Sequence, residues 1–287
     1  MFLNGKIFYK DVFKMLNVNY HTHMKYCNHA EGDVSDYVKK AIELNFKELG
    51  MSDHAPVLKE FMTEKEYKHN YGYDNMPLEL VDDYLNQIEE CKRKYKEIKL
   101  YSGFETEFLE ERIEYYKELR SRVDYLNLGI HFFKDKNGHV LNCYGDINFN
   151  NLEEYLLNAR NALKSGLYTT FVHPDIFMFG YKDKNGNHVF DEKCEYITRE
   201  IAKLAIEYDV YLEVNANGLK YCDNKNDRNT WLYPYPKFWE IIKEYPVKIL
   251  IGLDAHSPSA LNNDNVKLTL DFVKDLDLKI ESRMVIK

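Results

Sequence analysis

The sequence predicts a single-domain α/β protein, a parallel barrel of seven or eight strands, and three observations lead there. Seven short apolar stretches alternate with amphipathic ones along most of the chain. No Pro/Gly/Ser-rich linker and no repeat of fixed period breaks the alternation. The length, 287 residues, suits one such barrel. An open doubly wound sheet is the alternative.

The elements follow in order. Apolar NVNYH at 17–21 reads as the first strand, and DVSDYVKKAIELN at 33–45 as a helix with Asp33 as its cap. Strand FKELGMSDH at 46–54 follows, and then a polar, irregular segment at 55–77. A helix at about 78–96 leads to strand KLYSGFETE at 99–107, a helix at about 109–121 to strand DYLNLGIH at 124–131. In KDKNGHV at 134–140 the Asn-Gly pair predicts a tight hairpin turn, and KDKNGNHVF at 182–190 looks like a second excursion of that kind. Between them lie a helix at about 151–165 and strand LYTTFVH at 167–173. The chain continues with a helix at about 191–208, strand VYLEVNANG at 210–218, the loop LYPYP at 232–236, a helix at about 237–244, strand VKILIGLDAH at 247–256 and a last helix near 263–275. Residues 1–16 read as an N-terminal extension and 17–287 as the domain.

Composition excludes several classes of function. There are 39 basic against 47 acidic residues, a net charge of −8, which argues against nucleic acid as a partner because a phosphate-tracking surface needs excess Lys and Arg. No apolar run is long enough to cross a bilayer, and residues 1–16 carry scattered charges rather than a signal-peptide core. The five cysteines are odd in number, widely spaced and without a CxxC pair, so a reducing, cytoplasmic setting is expected. Oligomeric state is not legible.

Nearly every strand candidate ends in a residue able to bind metal. These are His21 and His23, then Asp53 and His54, Glu105 and Glu107, His131, His173 and Asp175, and finally Asp254 and His256. In parallel α/β folds the carboxyl ends of the strands share one face, so these side chains are expected to meet. Members of the pairs His21/His23 and Asp254/His256 stand two residues apart, on one side of an extended strand. Imidazole with carboxylate suits Zn²⁺, Mn²⁺ or Fe²⁺, whereas Ca²⁺ or Mg²⁺ sites are built mainly from oxygen. The histidines exceed the needs of one ion, which points to two or three, with a carboxylate such as Glu105 bridging a pair. His69, His139 and His188 lie in polar loops and read as solvated. Asp53 and Asp175 read either as carboxylates that orient an imidazole or as loop contacts. Glu31 reads as part of a helix start.

These residues resemble the polymerase-and-histidinol-phosphatase (PHP) superfamily, and within it the histidinol-phosphate phosphatases. The motifs are HTH at 21–23, CNHAEG at 27–32, SDHAP at 52–56, GFETEF at 103–108, LGIH at 128–131, VHPD at 172–175, LEVNANGL at 212–219 and GLDAHSP at 252–258. One departure stands out: HPDIFMFGYK after His173 has Pro174 and an apolar run where the phosphatases often carry a basic pair. The resemblance implies a distorted (β/α)7 TIM-like barrel with a trinuclear centre. His21, His23, Glu105 and Asp254 would hold one ion, Glu105, His131 and His173 a second, and His29, His54 and His256 a third. The implied activity is hydrolysis of a small phosphate monoester, foremost L-histidinol phosphate, with Asp254 or His256 managing protons. The alternatives are another small phosphate ester or a nucleotide as substrate, and a silent metal-binding protein, whose mark would be a broken ligand set; here each position is filled.

Overall fold

The computed structural model describes residues 16–70 and 74–286, so residues 1–15 of the expected N-terminal extension lie outside the described residues. Seven parallel strands run in the order β1 (Val18–Asn19), β2 (Glu48–Met51), β3 (Lys99–Thr106), β4 (Tyr125–Leu128), β7 (Thr170–Phe171), β8 (Tyr211–Asn215) and β9 (Lys248–Gly252). The ring closes at β1 and β9 by a single parallel bridge, Thr22 to Ala255, with the His23 amide donating to Ala255 O at 2.9 Å and the Leu253 amide to Asn19 Oδ1 at 3.0 Å. This is the parallel barrel that the alternation of apolar and amphipathic stretches predicts, nearly closed and distorted as the family resemblance implies.

Helices cover the outside: α1 (Val34–Glu43), α2 (Glu64–His69), α3 (Val81–Lys94), α4 (Ile113–Arg122), α5 (Leu152–Lys164), α6 (Glu192–Glu207), α7 (Pro236–Ile242) and α8 (Asp264–Asp275). In α1 the buried side chains are Val34, Tyr37, Val38 and Ala41, one stripe at helical spacing. Asp33 precedes it, and the Asp36 carboxylate accepts the Asp33 amide at 3.0 Å, which satisfies a donor the helix leaves free. Asp191 likewise takes the Lys193 and Cys194 amides at the start of α6.

Two local expectations change and a third holds. The segment at 55–77 contains α2, opened by a capping box in which the Thr63 amide donates to Glu66 Oε2 at 2.9 Å and the Glu66 amide to Thr63 Oγ1 at 3.3 Å. The hairpin β5 (Phe132–Lys134) to β6 (Val140–Asn142) forms, but its loop is longer than the Asn-Gly pair suggests: Gly138 alone has positive φ, and the Gly138 amide donates to Asp135 O. The excursion at 182–190 repeats that turn, with Gly186 at φ 84 and its amide on Asp183 O.

Strands β7 and β9 stop sooner than the apolar pattern predicts because the chain turns at the ligand positions. His173 has φ 31 and Asp254 φ 46, left-handed values that L-residues adopt at a cost of about 1–3 kcal/mol. Those turns re-aim both side chains over the end of the barrel. All five cysteines are free, and no helix among the described residues is long and apolar enough to cross a membrane.

Candidate metal centre

All nine predicted ligands meet at the carboxyl end of the strands. Glu105, at the end of β3, is the hub: its Oε2 lies 3.2 Å from both His21 Nε2 and His23 Nε2 and 3.3 Å from His54 Nδ1, and its Oε1 lies 2.8 Å from His173 Nε2 and 3.5 Å from His131 Nε2. Asp254 Oδ1 stands 3.0 Å from His23 Nε2 and 3.6 Å from His21 Nε2. His29 arrives from the loop after β1, held to β9 by the Glu31 amide on His256 O, and its Nε2 is 3.0 Å from His256 Nε2. His54 stacks on His23 at 4.2 Å and stands between Glu105 and the His29/His256 pair. His21, His23, Glu105 and His173 are buried, while His29 is exposed at the mouth.

Two glycines make room for the hub. A Cβ on Gly129 would lie 2.1 Å from Glu105 Oε1, and one on Gly252 would lie 1.9 Å from Glu213 Oε2. Either substitution would displace a carboxylate.

The imidazoles are oriented from behind. His21 donates Nδ1–H to Glu213 at 2.8 Å, and His131 donates Nδ1–H to Glu107 at 2.6 Å. His29 and His256 donate Nδ1–H to the carbonyls of Cys27 and Asp254, each at 2.9 Å. In all four it is Nε2 that faces the cup. Asp53 accepts the amides of Met24 and His54, the loop contact expected of it, and its Oδ1 stands 3.5 Å from His23 Nδ1. Asp175 is a loop contact: it accepts the Tyr235 amide and Trp239 Nε1–H and touches no imidazole of the cup. His139 bonds to Asp135 and His188 to Met178 O, and His69 pairs with Asp146; none of the three joins the cup.

Glu213 and Asn215 are the residues that sequence reasoning passed over. Asn215 Nδ2 bridges Glu213 Oε1 at 2.8 Å and Asp254 Oδ2 at 3.2 Å, and Asn217 Nδ2 reaches Asp254 Oδ2 at 3.2 Å. The signal was present in YLEVNAN, where polar Glu213, Asn215 and Asn217 recur at every second position of an otherwise apolar strand end.

The charge balance shows what the cup is built for. Burial opposes a charge on His21, yet Glu213, Asp254 and Glu105 hold its pKa up to about 10. Burial and the facing His23 push His256 down to about 3, and burial with His23 lowers His29 too. Two neutral imidazoles thus point Nε2 lone pairs at each other across 3.0 Å, an arrangement that repels unless a cation sits beside them. His23 Nε2 and Asp254 Oδ1, both buried, lie 3.0 Å apart, and although burial opposes a charge on His23, Asp254 and Asp53 hold its pKa well above the usual value. Groups of three ligand atoms within reach of one ion include His21/His23/Glu105, His21/His173/Asp254, His23/His54/His256 and His54/Glu105/His131. The donors fit divalent transition-metal ions.

The PHP domain model matches residues 19–217. The chain belongs to the PHP domain family. Among curated relatives of this PHP protein, the "Probable histidinol-phosphatase" of Schizosaccharomyces pombe is 25% identical over 280 residues, covering 88% of this chain and 86% of the relative. A "Probable phosphatase" of Clostridium acetobutylicum is 21% identical, covering 94% and 93%. The structure of histidinol phosphate phosphatase from Lactococcus lactis, in complex with zinc, L-histidinol and phosphate, superposes with a TM-score of 0.65 at 16% identity, covering 92% of this chain and 95% of that one. A Listeria monocytogenes protein assigned as a histidinol phosphatase gives 0.67 at 22% identity, covering 87% and 99%. These likenesses match the barrel of the PHP fold.

Proposed function

We propose that this PHP protein is a metal-dependent phosphomonoesterase that hydrolyses L-histidinol phosphate to L-histidinol and phosphate, a step of histidine biosynthesis. The observation that carries the reading is the convergence of seven imidazoles with the Glu105 and Asp254 carboxylates in one cup, where Nε2 of His29 faces Nε2 of His256 at 3.0 Å. The names of the relatives support the phosphatase class. In the proposed assignment His21, His23, Glu105 and Asp254 hold one ion, Glu105, His131 and His173 a second, and His29, His54 and His256 a third.

Bound divalent ions supply Lewis acidity toward the phosphoryl oxygens and make water a nucleophile near neutral pH. The chain's own residues do the rest. Glu213 and Glu107 fix the tautomers of His21 and His131. Asp254 is the proposed proton acceptor: burial would raise its pKa, but His21, His256 and His23 hold it well below the carboxylate range, so it stays ionised with Oδ1 unpartnered. Asp254 then returns that proton to the leaving alkoxide, while His256, whose Nδ1–H goes to Asp254 O and whose Nε2 carries no proton, serves as a ligand. Lys220, at the edge of the inner cup of about 60 Å³, offers a positive charge to the phosphate.

The test is phosphate release from histidinol phosphate by the metal-loaded protein and by protein stripped with a chelator, beside a nucleotide and an oligonucleotide. The expected outcome is hydrolysis of histidinol phosphate that disappears on stripping and returns on reloading. Equal rates with and without metal would overturn the mechanism, and preference for the nucleotide would overturn the substrate.

A further inference from the structure

A second cavity of about 280 Å³ opens beside the cup and shares His29, His54 and His131 with it. It has the scale of a small-molecule subsite, and away from the shared imidazoles its charged lining is acidic. Among the described residues no lysine or arginine lines it. Asp74 lines it half-buried, and its carboxylate has no hydrogen bond or ion pair among the described residues. Asn70, 3% exposed, also lines it. Its Nδ2 donates to Glu66 O and Val140 O, which fixes the amide orientation, and its Oδ1 is left without a partner. Glu107 adds a carboxylate already engaged by His131.

Aromatic rings make the rest of the wall. Phe179 packs edge-on to Tyr144 at 5.2 Å and to Tyr221 at 5.4 Å. They form a continuous apolar face, since the run after His173 places Phe179 here in a short 3-10 turn. The Asp74 carboxylate and Asn70 Oδ1, neither with a hydrogen-bond partner among the described residues, complement a group that carries donors, and ring faces favour a cation or a flat ring. An anionic head would meet Asp74 and Glu107 and be repelled.

We infer that this cavity is the subsite for the organic part of the ester, that the part it selects is a protonated amine attached to a flat or small apolar group, and that Asp74 is the residue that selects the positive charge. The inference rests on the phosphomonoesterase reading: phosphate goes to the inner cup with Lys220, and the amine goes outward to Asp74 and Asn70.

The experiment compares kcat/KM of the metal-loaded protein for histidinol phosphate, for the same ester N-acetylated, and for p-nitrophenyl phosphate, in the wild type, Asp74→Asn and Asp74→Lys. The expected result is that acetylation costs the wild type at least tenfold, that Asp74→Asn removes most of that difference, and that Asp74→Lys reverses it, with metal content equal in all three. If no phosphate ester is hydrolysed, the phosphomonoesterase reading fails. If esters are hydrolysed but acetylation makes no difference, or Asp74→Asn leaves the ratio as it was, the subsite assignment fails. A fall in metal content on Asp74→Asn would make Asp74 part of the metal site and overturn it as well.

Discussion

At the scale of single residues, Glu213 shows how a side chain that touches no substrate can govern a site. It lies within β8, buried, takes the Nδ1 proton of His21 and is itself fixed by Asn215. Partners of this kind are worth about ten- to a hundredfold in metal affinity. Glu213→Gln is therefore expected to weaken metal binding by about that factor while leaving the far-ultraviolet circular dichroism unchanged. Titration with zinc against a competing chelator measures it, and wild-type affinity would refute the role. Gly129→Ala acts on the hub from the other side, because the added methyl would occupy the place of Glu105 Oε1. Its expected outcome is loss of bound metal, read by elemental analysis. The candidate ligands other than His29 were legible in the sequence because each lies at or just after the end of a strand; His29, in the loop after β1, came from the CNHAEG motif, and Glu213 was not read, since its meaning depends on which face of β8 looks into the barrel.

At the scale of elements, periodicity located the strands and the core helices, and it failed where polar sequence hides local structure. Helix α2 has one buried side chain, Tyr67, and so shows no apolar stripe. Its evidence was the Thr63-x-x-Glu66 capping box. The junction of β3 and β4 carries a testable contact. Asp124, just before β4, accepts the Ser102 amide at 2.8 Å and Lys92 Nζ at 3.0 Å. Burial would raise its pKa, but these donors hold it below the usual value. A carboxylate lowered in this way stabilises the fold above its unfolded pKa, and that contribution disappears as pH falls through the folded value. Asp124→Asn is thus expected to cost about 1 kcal/mol or less at neutral pH, given its partial exposure, and to converge with the wild type in strong acid. Urea unfolding at several pH values checks this, and a gap that widens in acid would contradict it.

At the scale of the whole molecule, closing the ring gathers residues from position 21 to position 256 into one buried cup whose charges do not balance by themselves. With His21 held up to about 10 and His131 up to about 9, both are expected to carry a second ring proton at neutral pH in metal-stripped protein. An imidazole must give up that proton to bind metal, so loading releases protons and affinity falls as pH drops below those values. Calorimetry of zinc uptake in buffers of different ionisation enthalpy reads the release directly. An affinity independent of pH across the neutral range would contradict it. Loading is also expected to raise Tm, by about 4 kcal/mol of linkage at a thousandfold excess over Kd.

The seam between β1 and β9 has one bridge, and it lies between His21–His23 and Asp254–His256. A cation gripped by both flanks would act as a latch on the barrel wall, and without it that wall is free to breathe. The amide protons of His23 and Ala255 are then expected to exchange with deuterium slowly in loaded protein and quickly in stripped protein, while those paired between β2 and β3 barely respond.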